Sequence, residues 1–196
     1  MPKCLEIFGK FGCKVLIVTK SDLVARDIEI LKKIGASVSL TITTLDEKIA
    51  KKLEPGAPLP KKRIKAIEKL IENGIGVSVR IDPIIPFLNE EQEELIEILG
   101  NIGVRQIISS TYKVKPDNWQ RFRLAFPEVA GKLEPLYFEK GERIGRYRYL
   151  PRKLRFQILK RIKKLTEKNG MKFSCCREGF QELNSAKTCD GSWLIE

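Results

Sequence analysis

The stretch Lys14-Val15-Leu16-Ile17-Val18-Thr19-Lys20-Ser21-Asp22-Leu23 decides the fold. After Lys14, its first half is an unbroken aliphatic run, Val15–Val18, the pattern of a strand buried on both faces. Its second half turns polar, and Ser21 and Asp22 are residues that cap helices. The helix that follows would turn Leu23, Ile28, Leu31 and Ile34 inward and stop at Gly35. A strand that runs straight into a helix is one half of a parallel strand–helix–strand unit.

The pattern extends in both directions. Upstream, Leu5, Ile7 and Phe8 read as the end of a helix stopped near Gly12. Downstream come a strand at Val38–Thr43, a short helix at Leu45–Leu53 and a proline-rich loop, Glu54–Pro60. The helix Lys61–Asn73 carries Ile64, Ile67, Leu70 and Ile71 on one side and stops at Gly74. Gly76–Asp82 reads as a strand, Asn89 as the cap of a helix over Glu90–Gly100, and Val104–Ser110 as another strand. From Lys115 to Tyr149 the pattern is less regular, with helical stretches near Asn118–Ala125 and Glu128–Leu133. A long basic helix from Pro151 to Asn169 and a short strand, Met171–Ser174, then lead into a tail with cysteines. The division expected is a parallel β/α body over residues 1–114 and a helical, cysteine-containing extension over 115–196, packed together as one structural domain. Periodicity does not separate an open doubly wound sheet from a β/α barrel, but both place functional residues at the C-terminal ends of the strands.

Composition narrows the chemistry. The 196 residues include 37 Lys and Arg against 25 Asp and Glu, a net charge of +12, and no histidine. His-based triads, HExxH zinc sites and histidine general bases are therefore excluded. The basic excess favours anionic partners, nucleic acid first, although a general Lys, Glu and Ile bias of the kind reported for hyperthermophiles would produce it too. No apolar run approaches the ~20 residues that cross a bilayer, and no signal peptide is read at the N-terminus. Cys4, Cys13, Cys175, Cys176 and Cys189 are odd in number and make a poor disulfide framework, so a reducing cytoplasm is expected.

The strand ends carry Lys20, Thr41, Thr43, Arg80, Asp82, Tyr112, Lys113, Cys175 and Cys176, a dense set of hydroxyl, charged and thiol groups. Thr41 and Thr43 share a face by the two-residue period, as do Arg80 and Asp82. The first pair either lines a cavity or fills a barrel layer; the second is either a site element or an ion pair at the barrel mouth. Glu54 lies in a loop that prolines stiffen, either as an acceptor for a ligand or as a solvated charge. Tyr112 and Lys113 would stack on and neutralise a nucleotide, or cap the core. The segment Lys140–Lys164 mixes basic residues, Arg148 and Arg152 among them, with Tyr147, Tyr149 and Phe156, the footprint of phosphate neutralisation and base stacking. Its other reading is an ordinary solvated face. Cys175, Cys176 and Cys189 are candidate metal ligands, although adjacent cysteines fit tetrahedral zinc poorly.

Three stretches resemble a known family: Val18–Asp27, Thr41–Asp46 running on to Leu53–Pro58, and Arg80–Pro86. Together they are similar to the radical S-adenosylmethionine proteins of the DNA-repair-photolyase-like group, relatives of spore photoproduct lyase. Cys176-Arg177-Glu178-Gly179 and Cys189-Asp190-Gly191 resemble the end of archaeal-type members. The resemblance implies an incomplete parallel β/α barrel that binds S-adenosylmethionine at the strand ends, with Lys20 near the methionine carboxylate and Thr41, Thr43, Glu54 and Arg80 around the cofactor. Asp82, Tyr112, Lys113, Arg148 and Arg152 would then face the substrate. It also implies a [4Fe–4S] cluster held by Cys-x3-Cys-x2-Cys, and no such triplet occurs in this sequence. The resemblance places the Lys14–Val18 strand third in the family's barrel, so the chain reads as N-terminally truncated. It would act in hydrogen-atom abstraction only as part of a larger whole, or serve as a non-catalytic basic nucleic-acid-binding module. The unpaired edge of the Lys14–Val18 strand predicts self-association or a complementary chain.

Overall fold

The computed structural model describes residues 2–195. The chain opens with α1 (Pro2–Lys10), which ends in a turn where Gly12 takes φ +63°, a left-handed conformation that favours glycine. Strand β1 (Leu16–Thr19) follows, then a short 3₁₀ turn over Asp22–Asp27 that leads into α2 (Ile28–Lys33). Ser21 caps that turn, its Oγ accepting from the backbone N–H of Leu23 at 3.2 Å. Next come β2 (Ser37–Thr41), α3 (Glu47–Leu53), α4 (Pro60–Glu72), β3 (Val77–Ile84), α5 (Glu93–Ile102) and β4 (Gln106–Thr111). Helices α6 (Pro116–Ala125) and α7 (Pro127–Phe138), a hairpin of β5 (Glu142–Ile144) and β6 (Tyr147–Tyr149), α8 (Arg152–Lys168) and β7 (Lys172–Cys175) complete the order.

Among the described residues, five strands form one sheet in the order β1-β2-β3-β4-β7, every neighbour pairing parallel. The order never reverses, so there is no switch point of the doubly wound kind. Leu31, Ile67, Leu70, Leu95, Ile96, Leu99, Leu159 and Ile162 from α2, α4, α5 and α8 pack with Val38, Leu40, Val77, Val79, Ile81, Ile107 and Phe173 of the strands. By the two-residue alternation these strand residues share one face. Helices on one face of a sequentially wound parallel sheet make an incomplete β/α barrel. The fifth strand and the helix that covers it come from the segment expected as an extension. A run of only four strand residues after a long helix gives too weak a periodic signal to reveal that.

The opposite, concave face is polar. It carries Ser37, Ser39, Thr41, Ser78, Arg80, Asp82, Gln106, Ser110 and Ser174 in matched register. Its lower half is floored by the C-terminal tail. The Gln106 side-chain amide donates to the carbonyl of Thr188 at 2.9 Å and to Ser174 Oγ at 2.8 Å. Trp193 Nε1 donates to Gln106 Oε1 at 2.5 Å, and Ser174 Oγ donates to the carbonyl of Cys189 at 3.0 Å. Gly191, at φ +92°, lies so close to Ser78 that a Cβ there would meet the serine hydroxyl. Beyond the upper strand ends, Ile85, Trp119, Phe122, Phe126, Leu133, Tyr137 and Leu150 form a second apolar cluster carried largely by α6 and α7.

The tail is locked to this frame through Arg155, whose guanidinium is 1% exposed. It donates to both the carboxylate and the carbonyl of Glu178, at 2.9 and 3.0 Å, to the carbonyl of Leu150 at 2.9 Å and to Glu142 at 3.0 Å. Glu178 also accepts from Lys113 Nζ at 2.8 Å and from the N–H and Oγ1 of Thr111. Removing one partner of a buried ion pair leaves an uncompensated charge. Arg155→Met is therefore expected to lower the unfolding free energy by roughly 3 kcal/mol in urea melts; a loss well under about 1 kcal/mol would contradict this account.

Candidate functional site

The upper ends of β1 and β2 and the loop after α3 bring Lys20, Thr41, Thr43 and Glu54 together. Register pairs Thr19 with Leu40 and Thr41 with Arg80, so Lys20 follows on the row of Thr41 and Arg80. Lys20 Nζ donates to Glu54 Oε1 at 2.6 Å, while Arg63 holds Glu54 Oε2 at 2.5 Å. Arg63, 1% exposed, also donates to the carbonyls of Pro58 at 2.7 Å and Thr41 at 2.9 Å. Sequence reading missed this arginine. Its signal was there: Arg63 stands four residues before Ile67 and seven before Leu70, on the buried stripe of α4.

A cleft of about 390 Å³ opens beside these groups, lined by Lys20, Thr43, Glu54, Pro83, Tyr112 and Phe122 among others. Thr43 is 2% exposed, and its Oγ1 has no hydrogen-bond partner among the described residues. Its carbonyl accepts from Asn89 Nδ2 at 2.8 Å and Gln92 Nε2 at 3.0 Å. Asn89 thus does not cap α5, which begins at Glu93 with Gln92 at the cap position. It is a buried brace instead, its Oδ1 accepting from the N–H of Ile85 at 2.7 Å. A buried amide must satisfy both its ends, and here it ties the end of β2 to the end of β3.

Arg80 and Asp82 form a contact at 3.4 Å on the concave face, and Ser110 Oγ donates to Asp82 Oδ1 at 2.5 Å. They neighbour the cleft without lining it. Tyr112 both lines the cleft and packs on Phe122 and Tyr137, at centroid distances of 5.2 and 6.1 Å, and burial pushes its phenol up. Lys113 is engaged by Glu178 and lies in the buried network that anchors the tail.

The basic segment divides in two. On α8, Arg155 is buried and Arg161 pairs with Glu91 and Glu93. Arg152 lies over the ring of Phe180 at 4.7 Å, and Arg148 over that of Phe138 at 4.8 Å. The basic character collects instead on the β5–β6 hairpin, where Arg143, Arg146, Arg148, Lys115, Trp119 and Phe138 line a groove of about 320 Å³. Lys115 lies 4.6 Å over the Tyr147 ring, and hydrogen bonding and charge from Lys115, with Arg177 adding to it, pull that phenol below its ordinary range. The hairpin escaped sequence reading because each strand has only three residues. It is held from outside, by paired backbone hydrogen bonds of 2.9 Å between Arg148 and Val114.

The three tail cysteines are not brought together as ligands. Cys175 is buried, its thiol donating to the carbonyl of Phe180 at 3.2 Å, while Cys189 is exposed. Among the described residues, no group of three or more Cys, Asp or Glu side chains could hold a metal ion. The family's [4Fe–4S] cluster therefore does not fit the cysteines of this chain.

Comparison with known proteins gives the class. Residues 3–99 match the family model of the radical SAM superfamily. The fold is that of spore photoproduct lyase: the structure complexed with dinucleoside spore photoproduct aligns at a TM-score of 0.59 and 15% identity, over 85% of this chain and 51% of that one. A second, with bound AdoMet and the same dinucleoside, aligns at 0.59 and 14% identity over the same shares. An uncharacterized protein of Acidianus two-tailed virus is 38% identical over 113 residues, 54% of this chain and 38% of that protein. An uncharacterized protein of Methanocaldococcus jannaschii is 39% identical over 97 residues, covering 49% and 35%. One of Mycobacterium tuberculosis is 25% identical over 179 residues, covering 86% and 51%. The chain thus spans roughly a third to a half of the length of these relatives.

Burial pushes the Cys175 thiol up to about 11, with Glu178 adding to the effect. The folded protein therefore keeps a proton that the unfolded chain releases near its ordinary pKa of about 8.5, so stability falls as pH rises from there toward 11. Urea melts at pH 8 and pH 10 should show wild type losing more stability than Cys175→Ala; equal losses would refute the assignment.

Proposed function

We propose that this chain is the S-adenosylmethionine-binding part of a radical SAM enzyme related to the photolyase-like group, active only with cluster ligands from outside the sequence given. The observation that carries the reading is a lysine at a strand end beside a roofed cleft whose buried threonine hydroxyl lacks a partner. The cofactor's chemistry fits these groups. Lys20 would hold the methionine carboxylate by a charge-assisted hydrogen bond, Thr43 Oγ1 would meet a ribose or methionine polar atom, and Pro83, Tyr112 and Phe122 would flank the adenine. Thr41 acts through its carbonyl, which fixes Arg63, and Arg80 adds positive charge on the same row, one strand further on. Bound S-adenosylmethionine supplies radical SAM enzymes with their hydrogen-abstracting group. This chain's residues bind it, orient it and keep water from its apolar flank.

Tyr112, which lines the same cleft, and Asp82, on the concave face beside it, face the substrate. That substrate is nucleic acid, and Arg148 contacts it from the hairpin groove, with Arg152 adding positive charge nearby. The groove also supports the second reading, a basic nucleic-acid-binding module without catalysis: Arg143, Arg146, Arg148 and Lys115 have no carboxylate partner within 4.0 Å among the described residues. The outer edge of β1, without a strand partner among the described residues, is the contact for a second chain or copy, with Val18 58% exposed and Phe11 80%. No helix among the described residues is long and apolar enough to cross a membrane, and unpaired thiols suit a reducing cytoplasm.

Equilibrium dialysis with S-adenosylmethionine should show binding by the wild type and a loss of about tenfold or more in Lys20→Met, the worth of one charge-assisted hydrogen bond. Retained affinity in that variant would sink the cofactor reading. Binding of single-stranded DNA should fall steeply between 50 and 200 mM salt and weaken in Arg146→Ala; a flat salt response would remove the nucleic-acid reading.

A further inference from the structure

Glu54 is held by one more cation than an ion pair needs. Its side chain is 5% exposed, with one oxygen on Lys20 and the other on Arg63. The two cations differ in freedom. Arg63 is 1% exposed and tied to two backbone carbonyls, so it cannot follow a ligand. Lys20 is 45% exposed and borders the cleft. Two cations facing one carboxylate leave a net positive charge at the mouth of the cleft.

We propose that Arg63 is the positioning residue that makes Lys20 exchangeable: an incoming ligand carboxylate takes Lys20 from Glu54, and Arg63 keeps Glu54 compensated while it does so. The inference rests on the cofactor reading only in taking the ligand's anionic end to meet Lys20. Without Arg63, moving Lys20 to a ligand would strand a buried carboxylate, a strongly unfavourable state. The Glu54–Lys20 pair would then lock, and the cleft would lose its exchangeable cation. With Arg63 in place, the exchange swaps one charge-assisted hydrogen bond for another of similar strength. Arg63 also joins the end of β2, through the carbonyl of Thr41, to the loop that carries Glu54, through the carbonyl of Pro58. It thus sets the distance between the two walls of the cleft.

The test is calorimetric titration with S-adenosylmethionine and with methylthioadenosine, which keeps the nucleoside but has no carboxylate. Arg63→Met should lose about tenfold in affinity for S-adenosylmethionine and keep its affinity for methylthioadenosine. The double variant Arg63→Met with Glu54→Gln removes the buried charge that captures Lys20, so S-adenosylmethionine affinity should return to at least the wild-type value. Equal losses for both ligands in the single variant, or no recovery in the double variant, would show that Arg63 only supports the fold. If the wild type binds neither nucleoside, the cofactor reading fails. The exchange is then judged by the Lys20 Cε resonance during titration with acetate. Movement in the wild type and none in Arg63→Met upholds it; the same response in both, or none in the wild type, overturns it.

Discussion

A carboxylate removed from water has to be met by a cation in good geometry, and this protein meets that requirement twice. Arg63 holds Glu54 beneath the ends of β1 and β2, and Arg155 holds Glu178 behind the end of β4. Neither pair is best understood as a source of stability, because desolvating two charges offsets most of their attraction. What each pair supplies is position. A fork of fixed N–H donors reaches both a carboxylate and nearby carbonyls. Arg63 thereby aligns a strand end with a loop, and Arg155 aligns the tail, the hairpin and the start of its own helix.

These two clamps frame the strand ends from either side. Between them lie the groups with functional potential: Lys20, Thr43, Arg80, Asp82 and Tyr112. The brace made by Asn89 and Gln92 on the carbonyl of Thr43 adds a third support that leaves the threonine hydroxyl unused by the protein. A rigid surround with one unused polar atom is the arrangement expected where a ligand is to be oriented without reorganisation.

The sheet sets a different constraint. A parallel sheet is normally covered on both faces, and here the two coverings are unlike. Helices pack on the apolar face, while the polar concave face takes the C-terminal tail as its floor and the α6–α7 aromatic cluster as its roof. Ser37, Ser39 and Ser78 lie fully buried on the concave face, and their hydroxyls have no partner among the described residues. Small side chains let the tail approach closely, as the contact of Gly191 with Ser78 shows.

The sequence by itself determined the alternation of strands and helices, the helix stops at Gly12, Gly35 and Gly74, and the collection of polar groups at the strand ends. Each is written in local periodicity or in a residue's own backbone preference, so short windows suffice to read it. Tertiary structure alone decided that β7 closes the sheet, that a hairpin of two three-residue strands stands beside α6, and that Asn89 braces a strand end rather than capping a helix. It also decided which charges remain available. Lys113, a strand-end group in the sequence, and Arg155, within the basic segment, are both consumed by Glu178, and Arg63 disappears into a helix stripe. Charge type is local, whereas burial and pairing are set in three dimensions: Lys113 and Glu178 stand 65 residues apart, and even Arg63 and Glu54, nine apart, meet only because a helix and a loop are folded onto the strand ends.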